Sequence, residues 1–157
     1  MQLRPFVVLA AGLALGACGG EKKTETPPAN PAPAAAPAGN GAPITGATKI
    51  VQMVGDATGS RFDPATITIK AGDGIRFDAI SGGPHNVAFD AAALSPEAKT
   101  ALVANMPAQE MGELSSKLIA DKESFTISFA NVPPGTYAIN CTPHMALQMK
   151  MTVTVQK

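Results

Sequence analysis

Beyond residue 44, apolar side chains recur at every second position in runs too short for helices, with turn residues between them. Phe125, Ile127 and Phe129 alternate through "SFTISF"; Tyr137, Ile139 and Cys141 through "YAINC"; Met149, Met151, Val153 and Val155 through "MKMTVTV". An extended backbone points successive side chains to opposite sides, so each run predicts a strand with one buried face. Residues 49–54 ("KIVQMV"), 66–70 ("TITIK"), 75–80 ("IRFDAI", with Ile75 and Phe77 on one side) and 85–90 ("HNVAFD") read the same way. Ala-Gly-Asp-Gly after Lys70 and "NVPPGT" before Tyr137 carry turn chemistry. A single stretch, "SPEAKTALVAN", predicts a helix, with Ser95 as N-cap and Pro96 at the first helical position. Strands joined by turns, with one short inserted helix, predict an all-β Greek-key sandwich over residues 44–157.

The first 43 residues have no such pattern. "MQLRPFVVLAAGLALGAC" opens with Arg4 and continues with an apolar stretch from Phe6 to about Leu15. That stretch is too short for a permanent spanning helix and reads as an export signal over residues 1–17. The order Leu15-Gly16-Ala17-Cys18 resembles a bacterial lipobox, which makes Cys18 the expected lipidation site; an ordinary cleaved signal is the alternative. Residues 18–43 are dominated by Pro, Ala and Gly, and predict a disordered tether of polyproline character reaching on the order of 75 Å when extended. The expected location is a bacterial membrane reached through a lipid anchor, facing the periplasm or the outer surface.

Charge excludes some function classes. With Arg4, Lys22, Lys23, Glu21 and Glu25 set aside, nine Lys and Arg stand against ten Asp and Glu beyond residue 44. No basic run points to nucleic acid, and the near-neutral head is expected to be monomeric.

Chemistry concentrates in "CTPHMALQM". The chain has two histidines and two cysteines, and Cys141, His144, Met145 and Met149 fall within nine residues. With Cys18 lipidated, Cys141 is a lone thiol in an oxidising compartment, a liability unless something holds it. Cys141 and Met149 lie on the inward register of successive strands, and Pro143 stiffens the loop beside His144. Thiolate, imidazole and thioether are too soft a set for calcium or magnesium. They suit a metal tolerating trigonal N₂S coordination with a weak axial sulfur, if a second imidazole arrives; the only other histidine is His85.

"GPHNVAFD" followed by "YAINCTPHMALQM" resembles the blue copper proteins, or cupredoxins, and most nearly their plastocyanin and pseudoazurin branch. The resemblance extends over the whole head, including "FDPATITIKAGDGIRF". It implies one type 1 copper ion held by His85, Cys141, His144 and axial Met149. It also implies that Asn86 bonds backbone beside the cysteine, and that Tyr137 is the strand tyrosine near the sandwich corner. The implied function is one-electron carriage. The implied partners are redox proteins (a cytochrome, reductase, oxidase or photosynthetic centre) met briefly at a docking patch of Met145, Pro143 and Pro84.

Alternatives stand beside these assignments. His85 alone reads as a turn histidine and Met149 alone as core packing; Met145 is the rival axial ligand, disfavoured by adjacency to His144. Met106 and Met111 are expected to pack. "NCT" at Asn140 matches a glycosylation tripeptide, which a bacterial core strand makes spurious. A copper-delivery module is the main rival function. Zinc is a poorer match, because methionine is a poor zinc ligand. A multicopper oxidase or nitrite reductase needs histidines beyond the two present, so a non-enzyme is expected.

Overall fold

The computed structural model describes residues 41–157; Cys18 and the expected signal and tether lie outside the described residues. The alternating runs become β1 (Thr48–Asp56), β3 (Thr66–Lys70), β4 (Gly74–Ser81), β6 (Ser124–Ser128), β7 (Gly135–Asn140) and β8 (Lys150–Gln156), joined by β2 (Gly59–Asp63) and the two-residue β5 (Ala88–Phe89). They form two four-stranded sheets, ordered β2-β1-β4-β6 and β3-β8-β7-β5. Each sheet is mixed: β1 runs parallel to β4, and β3 parallel to β8, while the other pairings are antiparallel. The chain changes sheet between β2 and β3, β3 and β4, β4 and β5, β5 and β6, and β6 and β7, so each sheet draws on both early and late strands.

Period two is what places the core. Ile75, Phe77, Phe125, Ile127, Tyr137, Ile139, Met151, Val153 and Val155 are all buried, and the residues between them (Arg76, Thr126, Ala138, Thr152 and Thr154) are exposed or half-buried. Phe62 and Phe77 meet edge to face at 6.1 Å, and Phe89 meets Phe129 similarly at 6.3 Å, so aromatics from several strands interlock. Each such buried side chain contributes roughly 1.5–3 kcal/mol relative to exposure. The helix α1 (Pro96–Asn105) forms where its signals predict it: the Ser95 hydroxyl accepts from the Ala98 N–H at 3.2 Å, and Pro96 opens the first turn.

Three expectations need correction. Residues 85–90 are not a full strand. Only Ala88 and Phe89 pair with β7, whereas His85 makes an isolated bridge to Ile119. All of residues 85–89 are buried, so the segment has no solvent face to alternate with. Second, β2 went unseen because Phe62 is its single large apolar residue; a tight turn after Asp56 folds it back onto β1. Third, Met106 is buried as expected, but Met111 is 46% exposed, because it lies in the exposed run Glu110–Glu113 that follows the helix.

Tyr137 closes the corner between β6 and β7 by donating from its hydroxyl to the Pro133 carbonyl at 2.6 Å. Burial raises its phenol pKa by disfavouring the phenolate. A group whose folded pKa is raised stabilises fully below its unfolded value near 10 and loses that contribution as pH rises through the folded value. Tyr137→Phe is therefore expected to cost about 1 kcal/mol at neutral pH and to flatten the fall in stability above pH ~10. Urea melts at pH 7 and at alkaline pH check both; an unchanged alkaline slope refutes the assignment.

Candidate metal centre

One pole of the sandwich collects the end of β4, the end of β7 and the start of β8. His85 reaches it from the turn after β4. Its backbone is pinned on both sides, the N–H donating to Ile119 O at 3.0 Å and the carbonyl accepting from Ile119 N at 2.8 Å. Its Nε2 lies 2.9 Å from the Ser81 carbonyl. A carbonyl can only accept, so Nε2 donates to it, and Nδ1 is the ring nitrogen left to face the sulfur.

Cys141 follows β7 directly and keeps an extended backbone (φ −104°, ψ 111°), which preserves the inward register of Tyr137 and Ile139. It is fully buried. The chain then turns sharply: His144 N–H donates to Cys141 O at 3.1 Å, which brings the imidazole beside the sulfur. Two short 3₁₀ turns over Thr142–Leu147 break at His144 (φ −112°, ψ 23°), and Gln148 reverses the chain with a left-handed φ of 58°. Met149 closes the loop, its carbonyl accepting from Cys141 N at 3.0 Å and its N–H donating to His144 O at 3.3 Å. Its side chain is buried, 1% exposed.

The sulfur lies 3.4 Å from His144 Nδ1 and 3.8 Å from His85 Nδ1, and the three atoms are all within 4.8 Å of one another. Imidazole and thiolate bind a first-row ion at roughly 2.0–2.1 and 2.3 Å, so such donors at trigonal angles sit about 3.6–3.8 Å apart. The His85 separation lies at the upper end of that span and the His144 separation about 0.2 Å below it. The two rings are 4.9 Å apart and tilted by 53°, so each offers an in-plane nitrogen from its own side.

Electrostatics agrees with the geometry. Burial pushes the Cys141 thiol up, opposed by the backbone N–H groups of Asn86 and His144. In the protein alone the thiol thus stays protonated, and a cation held between the donors would ionise it. Burial, and then the neighbouring His85, lower the His144 pKa and keep that imidazole neutral, the form that ligates. Two imidazole nitrogens and one ionisable sulfur fit copper.

Asn86 ties the two ligand segments together. Its Oδ1 accepts from Thr142 N at 2.7 Å, and its backbone N–H donates to Cys141 Sγ at 3.4 Å. Asn86 thus bonds backbone beside the cysteine, at Thr142. Its Nδ2 donates to Ser115 Oγ at 3.0 Å and Thr142 Oγ1 at 3.2 Å, and Asn86 itself is wholly buried. Sequence reasoning missed Ser115 and Thr142. Thr142 had one available signal, its adjacency to the cysteine; Ser115 sits in a loop without periodicity and had none.

At the rim, His144 is half-buried, and Pro84, Pro143, Met145 and Leu147 are exposed. Met145, at 56% exposure, is displayed to solvent while Met149 is buried.

Residues 49–156 match the family model of copper binding proteins, plastocyanin/azurin family. Plastocyanin of Ulva prolifera is 35% identical over 107 residues, covering 68% of this chain and 98% of that protein. Plastocyanin of Dryopteris crassirhizoma is 36% identical over 104 residues, covering 66% of this chain and 96% of that one. The structure of oxidised plastocyanin from Dryopteris crassirhizoma superposes with a TM-score of 0.55 at 32% identity, covering 69% of this chain and all of that one. Matched in sequence over the head, in fold, and in a donor set suited to one copper ion, this chain belongs to the plastocyanin/azurin family of copper-binding proteins.

Proposed function

We propose that the protein carries single electrons between redox proteins while held to a bacterial membrane by a lipid on Cys18, with residues 18–43 as tether and the head on the periplasmic or outer face. The observation that carries the electron-transfer reading is the Nδ1–Sγ–Nδ1 cluster, buried at His85 and Cys141 and half-exposed at His144, whose ring and backbone hydrogen bonds hold its donors before any metal arrives. In this reading His85, Cys141 and His144 would hold the ion, and the buried Met149 would add a weaker thioether donor. Bound there, copper supplies a one-electron couple. The protein's contribution is rigidity. His85 is fixed through Ser81 and Ile119, Cys141 through Asn86, and the loop through its own backbone bonds, so little rearrangement accompanies a change of charge.

A buried site exchanges electrons only through the edge that water and partners reach, which here is His144. Around it, exposed Pro84, Pro143, Met145 and Leu147 make an apolar rim suited to brief docking of small area. Met145→Ala is expected to slow reaction with a redox partner roughly tenfold, a loss of about 1.4 kcal/mol of docking, while leaving the absorption spectrum unchanged. Stopped-flow rates beside a spectrum check this; loss of the visible band would instead make Met145 the axial ligand.

The decisive experiment is an absorption and EPR spectrum of the copper-loaded protein with voltammetry. An intense visible thiolate band and a reversible one-electron wave support carriage. The exposed Met145 sulfur beside His144 favours a second reading, delivery of copper. Binding only of Cu(I), with ready transfer to an acceptor, selects it. The anchor is tested by labelled fatty-acid incorporation, with Cys18→Ala as control; incorporation that survives the substitution refutes it.

A further inference from the structure

The segment after α1 runs antiparallel to the His85 segment and holds it at several points. His85 and Ile119 exchange both backbone bonds, Ser116 N donates to Val87 O, and Phe89 N donates to Leu114 O. Two neighbouring serines add side-chain bonds of different kinds. Ser116 Oγ accepts from Val87 N at 3.0 Å and donates to Lys117 O at 2.8 Å, so it serves backbone alone. Ser115 Oγ accepts from Asn86 Nδ2 at 3.0 Å, touching the side chain whose other end holds Thr142 N–H.

The backbone goes to some length to bring Ser115 there. Leu114, immediately before it, has φ 62°, a left-handed conformation that leucine rarely adopts, yet its side chain is fully buried and its N–H is held by Gln109 Oε1 at 2.7 Å. Strain of this kind persists only where surrounding contacts over-determine it, and it clusters beside functional groups.

We propose that Ser115 is a positioning residue for the Cys141 donor, acting through Asn86. Asn86 has two amide hydrogens and spends both, one on Ser115 and one on Thr142 Oγ1. Removing the Ser115 acceptor leaves one buried amide hydrogen unpaired and lets the side chain swing, which loosens the bond to Thr142 N and the approach of Asn86 N–H to the sulfur. A donor to the sulfur weakens thiolate donation most in the oxidised state, so loosening it favours oxidised copper. The inference rests on the copper reading above.

The test compares Ser115→Ala with Ser116→Ala in the full-length protein. Both remove one buried hydroxyl from adjacent positions, so a merely structural role predicts the same outcome for each. Ser115→Ala is expected to lower the ratio of reduced to oxidised copper at fixed poise by three- to tenfold, or about 30–60 mV for a one-electron couple. In the metal-free protein it is expected to speed hydrogen exchange at the Thr142 amide roughly five- to tenfold relative to Phe77 and Val153 amides. Ser116→Ala should do neither. An unchanged potential in Ser115→Ala, or an equal shift in Ser116→Ala, overturns the proposal, as does unchanged Thr142 exchange. The exchange measurement needs no metal, so it separates failure of this relay from failure of the copper reading, which a wild-type protein without a copper couple would reveal.

Discussion

Cys141→Ser is expected to abolish the intense visible absorption of the copper-loaded protein and to remove nearly all stabilisation by copper. The sulfur sits between both imidazole nitrogens, at 3.4 and 3.8 Å, and is the single group of the cluster that can supply a negative charge. A serine hydroxyl in the same buried position stays protonated and is a hard donor, so the charge-transfer route and the soft ligand disappear together. A metal at a thousandfold excess over its dissociation constant stabilises the fold by about 4 kcal/mol, and this increment should vanish. The metal-free fold should lose only about 1 kcal/mol, because the Cys141 N–H keeps its bond to Met149 O, and the Asn86 N–H finds an oxygen where it had a sulfur. Copper titrations followed by absorption, with melts in the presence and absence of copper, check both halves. A visible band of undiminished intensity in the variant would remove Cys141 from the site.

The largest effect on the fold itself is expected from Phe77→Ala. Phe77 lies at the middle of β4, in register with Val51 on one side and Phe125 on the other, and is completely buried against the edge of Phe62. Truncation removes the transfer free energy of the ring and leaves a cavity that two crossing sheets cannot collapse to fill, a combined cost of about 3–5 kcal/mol. For a head of this size that is a fall in melting temperature on the order of 10–20 °C. The spectrum of the protein that remains folded should be unaltered, since no ligand is carried by the middle of β4. A loss below 1 kcal/mol in urea melts, or a displaced absorption maximum, contradicts this division between core and site.

Family and donor chemistry were both legible in the linear order of residues. Period two at Phe125-Ile127-Phe129 and Met149-Met151-Val153-Val155 assigned the buried faces, and all seven of these side chains are buried in the fold. The same parity put Cys141 and Met149 inward, and the Ser95-Pro96 pair started the helix where it begins. These features are local, and a strand or a cap is written within a few residues of itself. Residues 85–90 differ for the same reason: a local pattern reports what a strand would bury, but not that both faces of residues 85–89 are covered.

Whatever depends on contacts between distant segments was settled only by tertiary structure. That His85 keeps its proton on Nε2 follows from Ser81, and that its backbone is held rigid follows from Ile119. That Asn86 spans to Thr142, 56 positions away, follows from the pairing of β5 with β7, and that it leans on Ser115 follows from the pairing of the segment after α1 with the segment after β4. That Met145 faces solvent while Met149 is buried turns on the reversal at Gln148. Residue type and spacing determined which atoms can ligate and which faces are apolar, because those are properties of the chain's own geometry. Which partners orient those atoms depends on how two sheets and an inserted loop pack, and packing is a property of the whole fold that no single stretch encodes.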